Sequence, residues 1–188
     1  MEKLNLTNTY ILDTETTGLD SNAEIVEISL IDAVSGDVVF TSLVNPCNPI
    51  PDEAKAIHGI SNDDVRLSTN FKLVWEQIET LLDGKSLIIY NSDYDIRLIC
   101  QSLLRFCSSL YVLEIQEMLM DKSHCAMLWY AEFYADWNDY HENYKWQSLT
   151  NACRQQGIDT SDLTAHRALA DCEMTRRLVH AVNAKLEA

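Results

Sequence analysis

The chain has 188 residues, 47% of them hydrophobic and including four Trp and eight Tyr, which suits one packed domain, or one domain with an insertion, and argues against disorder. Its 29 acidic against 14 basic residues give a formal net charge of −15. That excludes a bulk, non-specific nucleic-acid binder, whose affinity comes from Lys and Arg neutralising phosphates, unless a bound divalent cation locally inverts the charge.

In chain order, Thr9–Asp13 reads as a short strand. Glu24–Asp32 ("EIVEISLID") is rich in β-formers and runs into the turn signal "AVSGD"; Val38–Val44 ("VVFTSLV") completes a hairpin. The prolines of "NPCNPIP" end that unit. Asp52–Ile57 suits a short helix stopped by Gly59. Apolar residues at 71, 74, 75, 78, 81 and 82 predict an amphipathic helix over Phe71–Leu82, ended by Gly84. "SLIIY", Ser86–Tyr90, reads as a buried strand, Asp93–Cys107 as a helix and "YVLEI", Tyr111–Ile115, as a further strand. Lys122–Trp146 is aromatic-rich without clean periodicity, and is a candidate insertion. Gln147–Gln156 and His166–Leu186 read as helices, the first stopped by Gly157. The expected fold is one α/β domain, a mixed sheet flanked by helices.

Six cysteines contain no C-x-x-C pair, which argues against a zinc site, and Cys100 and Cys107 fit core packing. No charged-then-apolar leader and no membrane-length apolar run is present, so the expectation is a soluble protein of a reducing cytoplasm.

Chemistry concentrates at "YILDTETTGLD", Tyr10–Asp20. Asp13 and Glu15 are two apart on a strand and so share a face. They stand at its C-terminal end, where open α/β sheets place ligands. Neighbouring carboxylates repel unless protonated, hydrogen-bonded or bound to a cation, and an oxygen-only donor set suits Mg²⁺ or Mn²⁺. Taken alone, the pair more readily describes a solvated strand end before a turn. Two distant segments add to it. In "IIYNSDYDIRL", Asp95 falls in the first turn of a helix after a buried strand, a place that helix-dipole stabilisation alone would also explain. In "AHRALADCE", His166 precedes Asp171 by five residues at the start of the terminal helix.

"DTETTGL" at 13–19, "IHGI" at 57–60, "YNSDYD" at 90–95 and "HRALAD" at 166–171 resemble, in order and spacing, the motifs of the DEDDh 3′–5′ exonucleases, the histidine branch of the DnaQ-like group with an RNase H-like fold. The resemblance covers about residues 9–117 and 145–187. It implies an RNase H-like mixed β-sheet flanked by α-helices and two Mg²⁺ or Mn²⁺ ions held by Asp13, Glu15, Asp95 and Asp171. Asp13 would be shared between the ions, and Asp95 would act directly or through water. His166 would be the general base, suited to taking a proton near neutral pH. The turn Thr16, Thr17, Gly18 and Leu19 would meet the 3′-terminal nucleotide. Glu53 and His58 match substrate-contacting positions, though His58 equally suits loop packing beside Gly59. Asn91 would either hold its loop or touch the sugar. Two positions depart from the pattern: Tyr90 replaces the usual His and Tyr94 the usual Phe. Asp93 is an extra acid, and Asp95 holds the ligand position.

The implied substrate is the single-stranded or frayed 3′ end of DNA, with RNA the alternative, releasing nucleoside 5′-monophosphates. A second copy of the chain or a polymerase is the protein partner to test for, and no membrane is involved. Trp129–Trp146 is read as core or protein interface, because its acids outnumber its one base, Lys145. Arg154, Arg167, Arg176 and Arg177 are candidates for a phosphate-guiding surface, with Arg176 and Arg177 alternatively paired to nearby acids. Two other classes remain: a non-catalytic module on a nuclease fold, or an acidic mimic of nucleic acid.

Overall fold

A computed structural model describes residues 1–187. The β-branched runs form the central strands, Thr9–Thr16 (β1), Ile25–Asp32 (β2), Val38–Leu43 (β3) and Ser86–Ile89 (β4). With Ser123–Cys125 (β5) they make one sheet in the order β3-β2-β1-β4-β5. β1 is antiparallel to β2 and parallel to β4, so the sheet is mixed. The helices are Asp52–His58 (α1), Asn62–Val65 (α2), Phe71–Leu81 (α3), Ser92–Leu103 (α4), Ser109–Lys122 (α5), Ala126–Tyr134 (α6), Leu149–Gln155 (α7) and Ala168–Leu186 (α8).

Alternation along β1 sends neighbouring side chains to opposite faces, and each face finds its own cover. Leu12 joins Ile28, Leu30, Leu87 and Ile89 beneath α3, α4 and α5, around Trp75, Ile78, Ile99 and Leu119. Ile11 joins Ile31 and Ile88 beneath α6, α7 and α8, against Tyr130, Cys153, Leu178 and Val182. The result is a three-layer α/β sandwich. Among the described residues, no helix is long and apolar enough to cross a membrane.

Most expected elements are found within a few residues. Tyr111–Ile115 is a correction, because it lies inside helix α5. Ser108 accepts a hydrogen bond from the Tyr111 amide and so caps that helix, and Val112, Ile115 and Leu119 form its buried stripe. The short β5, paired parallel to β4, takes the sheet position instead. His166 is a second correction. It lies before α8, whose N-cap is Arg167, and adopts φ 61°, a left-handed conformation uncommon for a side-chain-bearing residue. The aromatic segment divides. Tyr130 is fully buried, whereas Trp137–Asn138 (β6) and Asn143–Tyr144 (β7) form a small exposed hairpin in which the rings of Trp137 and Tyr144 meet edge to face at 5.1 Å.

Candidate active site

One sheet face changes character along its length. Ile11 sits opposite Ile31 in the β1–β2 ladder, Asp13 opposite Ser29 and Glu15 opposite Glu27. The period-two rule that buries Ile11 against α8 therefore carries Asp13, Glu15 and Glu27 onto the same face, at the C-terminal end of β1. α8 crosses that face and brings Asp171 in its first turn. Asp13, Glu15 and Asp171 each present an oxygen within 4.8 Å of the others'.

Asp95 arrives from the other side. The β4–α4 turn ends at Asn91, and Asp95 follows in the first turn of α4, only 4% exposed. The Thr14 hydroxyl, on the β1 face opposite Asp13, donates to Asp95 Oδ1 at 2.7 Å. Asp95 stands outside the group of three yet is the charge that most raises the Asp13 pKa. His166 is exposed, its amide donates to Asp171 Oδ1 at 3.3 Å, and its charge favours the ionised form of Asp171.

All four acids are costly to ionise as they stand. Burial is the first cause in each. Asp13 is pushed well above the ordinary carboxylate range by burial, then by Asp95, Asp171, Glu15 and Glu27. Glu15 rises to about 8 through burial and the charges of Asp171, Glu27 and Asp95, partly opposed by Arg167. Asp95 rises to about 7 through burial, moderated by its hydrogen bond from Thr14. Asp171 is raised by burial, with His166 opposing. A cluster of hard oxygen donors that repel one another fits a divalent cation, which would satisfy the charges together.

Beside the acids, Glu15, Thr16, Thr17, Gly18, Leu19, Glu53, His58 and Tyr94 contribute to the walls of a cavity of about 420 Å³. Leu19 is 79% exposed on the loop after β1. Tyr94 and Thr16 share a 2.7 Å hydroxyl contact, and Tyr94 also donates to the Gly18 carbonyl at 3.0 Å. His58 is buried. Its Nδ1 accepts from the Ile60 amide at 3.0 Å, which fixes the proton on Nε2. Nε2 faces the Thr16 carbonyl and finds no hydrogen-bonding geometry among the described residues. Burial lowers the His58 pKa, which favours the neutral ring.

The Exonuclease family model, RNase_T, matches residues 10–179. The chain belongs to the RNase_T exonuclease family. It is 41% identical over 174 residues to the "Uncharacterized exonuclease CP81" of Escherichia phage 186, covering 91% of this chain and 86% of that one. It is 29% identical over 169 residues to DNA polymerase III subunit epsilon of Rickettsia prowazekii, covering 87% and 69%. The fold matches that of Exonuclease X in complex with 5′ overhanging duplex DNA at TM-score 0.63 and 23% identity, over 94% of this chain and 92% of that one. It also matches exonuclease I, at TM-score 0.73 and 18% identity over 94% and 40%. The protein is a 3′–5′ exonuclease of this metal-dependent family.

Within this RNase_T frame, the structure sorts the residues singled out in the sequence. Asp13, Glu15 and Asp171 converge, Asp95 and His166 flank them, and Thr16, Gly18, Leu19, Glu53 and His58 border the adjoining cavity. Thr17 borders the same cavity, and its amide and hydroxyl close a pair of hydrogen bonds with the backbone of Glu24. Asn91 caps α4 without a side-chain hydrogen bond; its carbonyl accepts from the amides of Tyr94 and Asp95. The arginine surface is only partly free. Arg176 and Arg177 grip Glu173, Arg177 also binds Asp162, and Arg167 binds Glu27. Glu27 escaped the sequence reading. Its signal was an acid inside the otherwise apolar run "EIVEISLID", where burial demands a partner.

Proposed function

We propose that the protein hydrolyses the terminal phosphodiester bond at the 3′ end of single-stranded or frayed DNA, releasing nucleoside 5′-monophosphates with the help of two Mg²⁺ or Mn²⁺ ions. The convergence of Asp13, Glu15 and Asp171 at the end of β1 carries this reading. Those three carboxylates with Asp95 would hold the ions, and the ions when bound would stabilise charge on the phosphoryl group and the attacking and leaving oxygens. The Thr14 hydroxyl holds Asp95 in place through its Oδ1. The exposed imidazole of His166 takes the proton of the attacking water at a ring nitrogen. The terminal nucleotide enters the cavity bordered by Leu19, Glu53 and His58. DNA is favoured over RNA because epsilon subunits of a DNA polymerase are among the relatives. The same likeness makes a polymerase a candidate protein partner.

A 5′-labelled single strand should shorten stepwise in Mn²⁺ or Mg²⁺ and stay intact in chelator. Asp13→Asn should lower the rate by about a hundred- to a thousand-fold, the scale expected when electrostatic stabilisation of the transition state is lost. It should not lower metal-free stability, because it removes a repelled, buried charge. Shortening that persists in both chelator and Asp13→Asn would contradict the proposal.

A further inference from the structure

We infer that Glu27 and Arg167 form a positioning pair that holds His166 over the carboxylate cluster; the inference rests on the exonuclease reading of that cluster. Glu27 lies directly across the ladder from Glu15, and its side chain is only 6% exposed. Its position would suit a further metal ligand, but both oxygens are spoken for. Oε2 accepts Arg167 Nε at 3.0 Å and the Ala168 amide at 2.9 Å, while Oε1 accepts Arg167 Nη2. All three donors come from the two residues that follow His166. Glu27 thus caps α8 from a neighbouring strand, where Arg167, the N-cap residue, makes no cap of its own.

The segment needs such an anchor. His166 is held at φ 61°, and its own backbone bond goes to Asp171, a member of the carboxylate cluster. Asp171 therefore cannot be the independent reference for the position of His166. Glu27 can, because it stands on an inner strand of the sheet and its bidentate contact to Arg167 fixes direction as well as distance. Arg167 acts on the reaction through His166, as a positioning residue. The rival role is direct contact with substrate phosphate, since the Arg167 side chain is 44% exposed and borders a cavity of about 670 Å³.

Single-turnover and steady-state cleavage of a labelled single strand in Mn²⁺ tests this with Arg167→Ala, Glu27→Gln and the double variant. Each single variant should lower kcat roughly ten- to hundred-fold, the loss that follows misplacement of a reacting group by about 1 Å. KM and the Mn²⁺ dissociation constant should stay close to those of the parent. The double variant should lose no more than the worse single one, because the two side chains act as one unit. A raised KM that grows with salt while kcat holds would make Arg167 a phosphate contact and overturn the inference. Weakened Mn²⁺ binding in Glu27→Gln would make Glu27 a ligand and do the same. Amide hydrogen exchange supplies a readout independent of turnover: residues 165–168 should exchange faster in metal-free Arg167→Ala, and unchanged exchange would also overturn it. A parent protein without any turnover would sink the exonuclease reading instead, leaving the exchange result to decide the pairing.

Discussion

Tyr94 shows how one added oxygen can be put to use beside the reacting centre. Where the family pattern carries Phe, its hydroxyl contacts Thr16 Oγ1 and donates to the Gly18 carbonyl. Arg97 and Gln101 on the same stripe, and Arg105 just past the end of α4, reach carbonyls of Leu19, Asp20, Asn22 and Ala23. α4 therefore places Asp95 at its start and braces the Leu19 loop with its flank. Tyr94→Phe keeps the ring and removes only the hydroxyl, so stability should fall by about 1 kcal/mol or less. KM for single-stranded DNA should rise several-fold with kcat nearly kept, because a loosened Leu19 loop weakens binding more than chemistry. Steady-state kinetics with denaturant melts would check both parts, and an unchanged KM would show that the Thr16–Gly18 turn holds itself. At this scale the sequence is readable wherever periodicity alone sets direction. Asp13 and Glu15 had to share a face once β1 was a strand. The backbone of His166 was not readable, since φ 61° goes with its amide bond to Asp171 in the next helix and with the pair its neighbour Arg167 makes with Glu27, a residue far away in sequence.

Elements follow the same division between local and long-range causes. α3 and α4 were legible because their apolar residues recur at helical spacing, and in α3 the Asn70 side chain also caps the first turn. "YVLEI" misled because Tyr, Val and Ile favour strands while nothing in five residues reveals that Val112, Ile115 and Leu119 will pack together in the cluster shared with α4. β5 was invisible for the opposite reason: "SHC" has almost no strand signature and is ordered by pairing with β4. The consequence for α5 is measurable. Ile115→Ala should cost about 2–5 kcal/mol, the usual penalty for emptying a buried aliphatic site. Turnover per folded molecule should be retained, because α5 contributes no side chain to the carboxylate cluster or to the cavity beside it. Thermal melts paired with active-site titration would separate the two. A variant as stable as the parent would mean that the buried stripe of α5 is not what holds it as a helix.

The molecule as a whole carries 29 acids against 14 bases, and it places four of those acids where each opposes the ionisation of the others. The strain should appear as pH-dependent stability. A carboxyl whose folded pKa is raised binds more protons in the folded state than in the unfolded one, so stability falls as pH rises between the two values. Glu15 spans 4.5 to about 8 and Asp95 spans 3.8 to about 7, with Asp13 and Asp171 shifted in the same direction. Metal-free protein should therefore lose stability steadily from about pH 5 to pH 8. His58 acts the other way, since its lowered pKa favours folding as pH rises through its range and trims the decline near its acidic end. Carboxylates held low by partners, such as Asp32 and Asp162, change their contribution only at more acidic pH. A saturating divalent cation should abolish or reverse the slope, because it requires the ionised carboxylates and displaces their protons. Asp13→Asn should flatten the metal-free slope by relieving its neighbours. Calorimetric midpoints at several pH values, with chelator and with Mn²⁺, test each part. A metal-free midpoint that stays level or climbs across this range would mean that the four acids are not strained against one another, and the physical reason for a cation at the end of β1 would be gone.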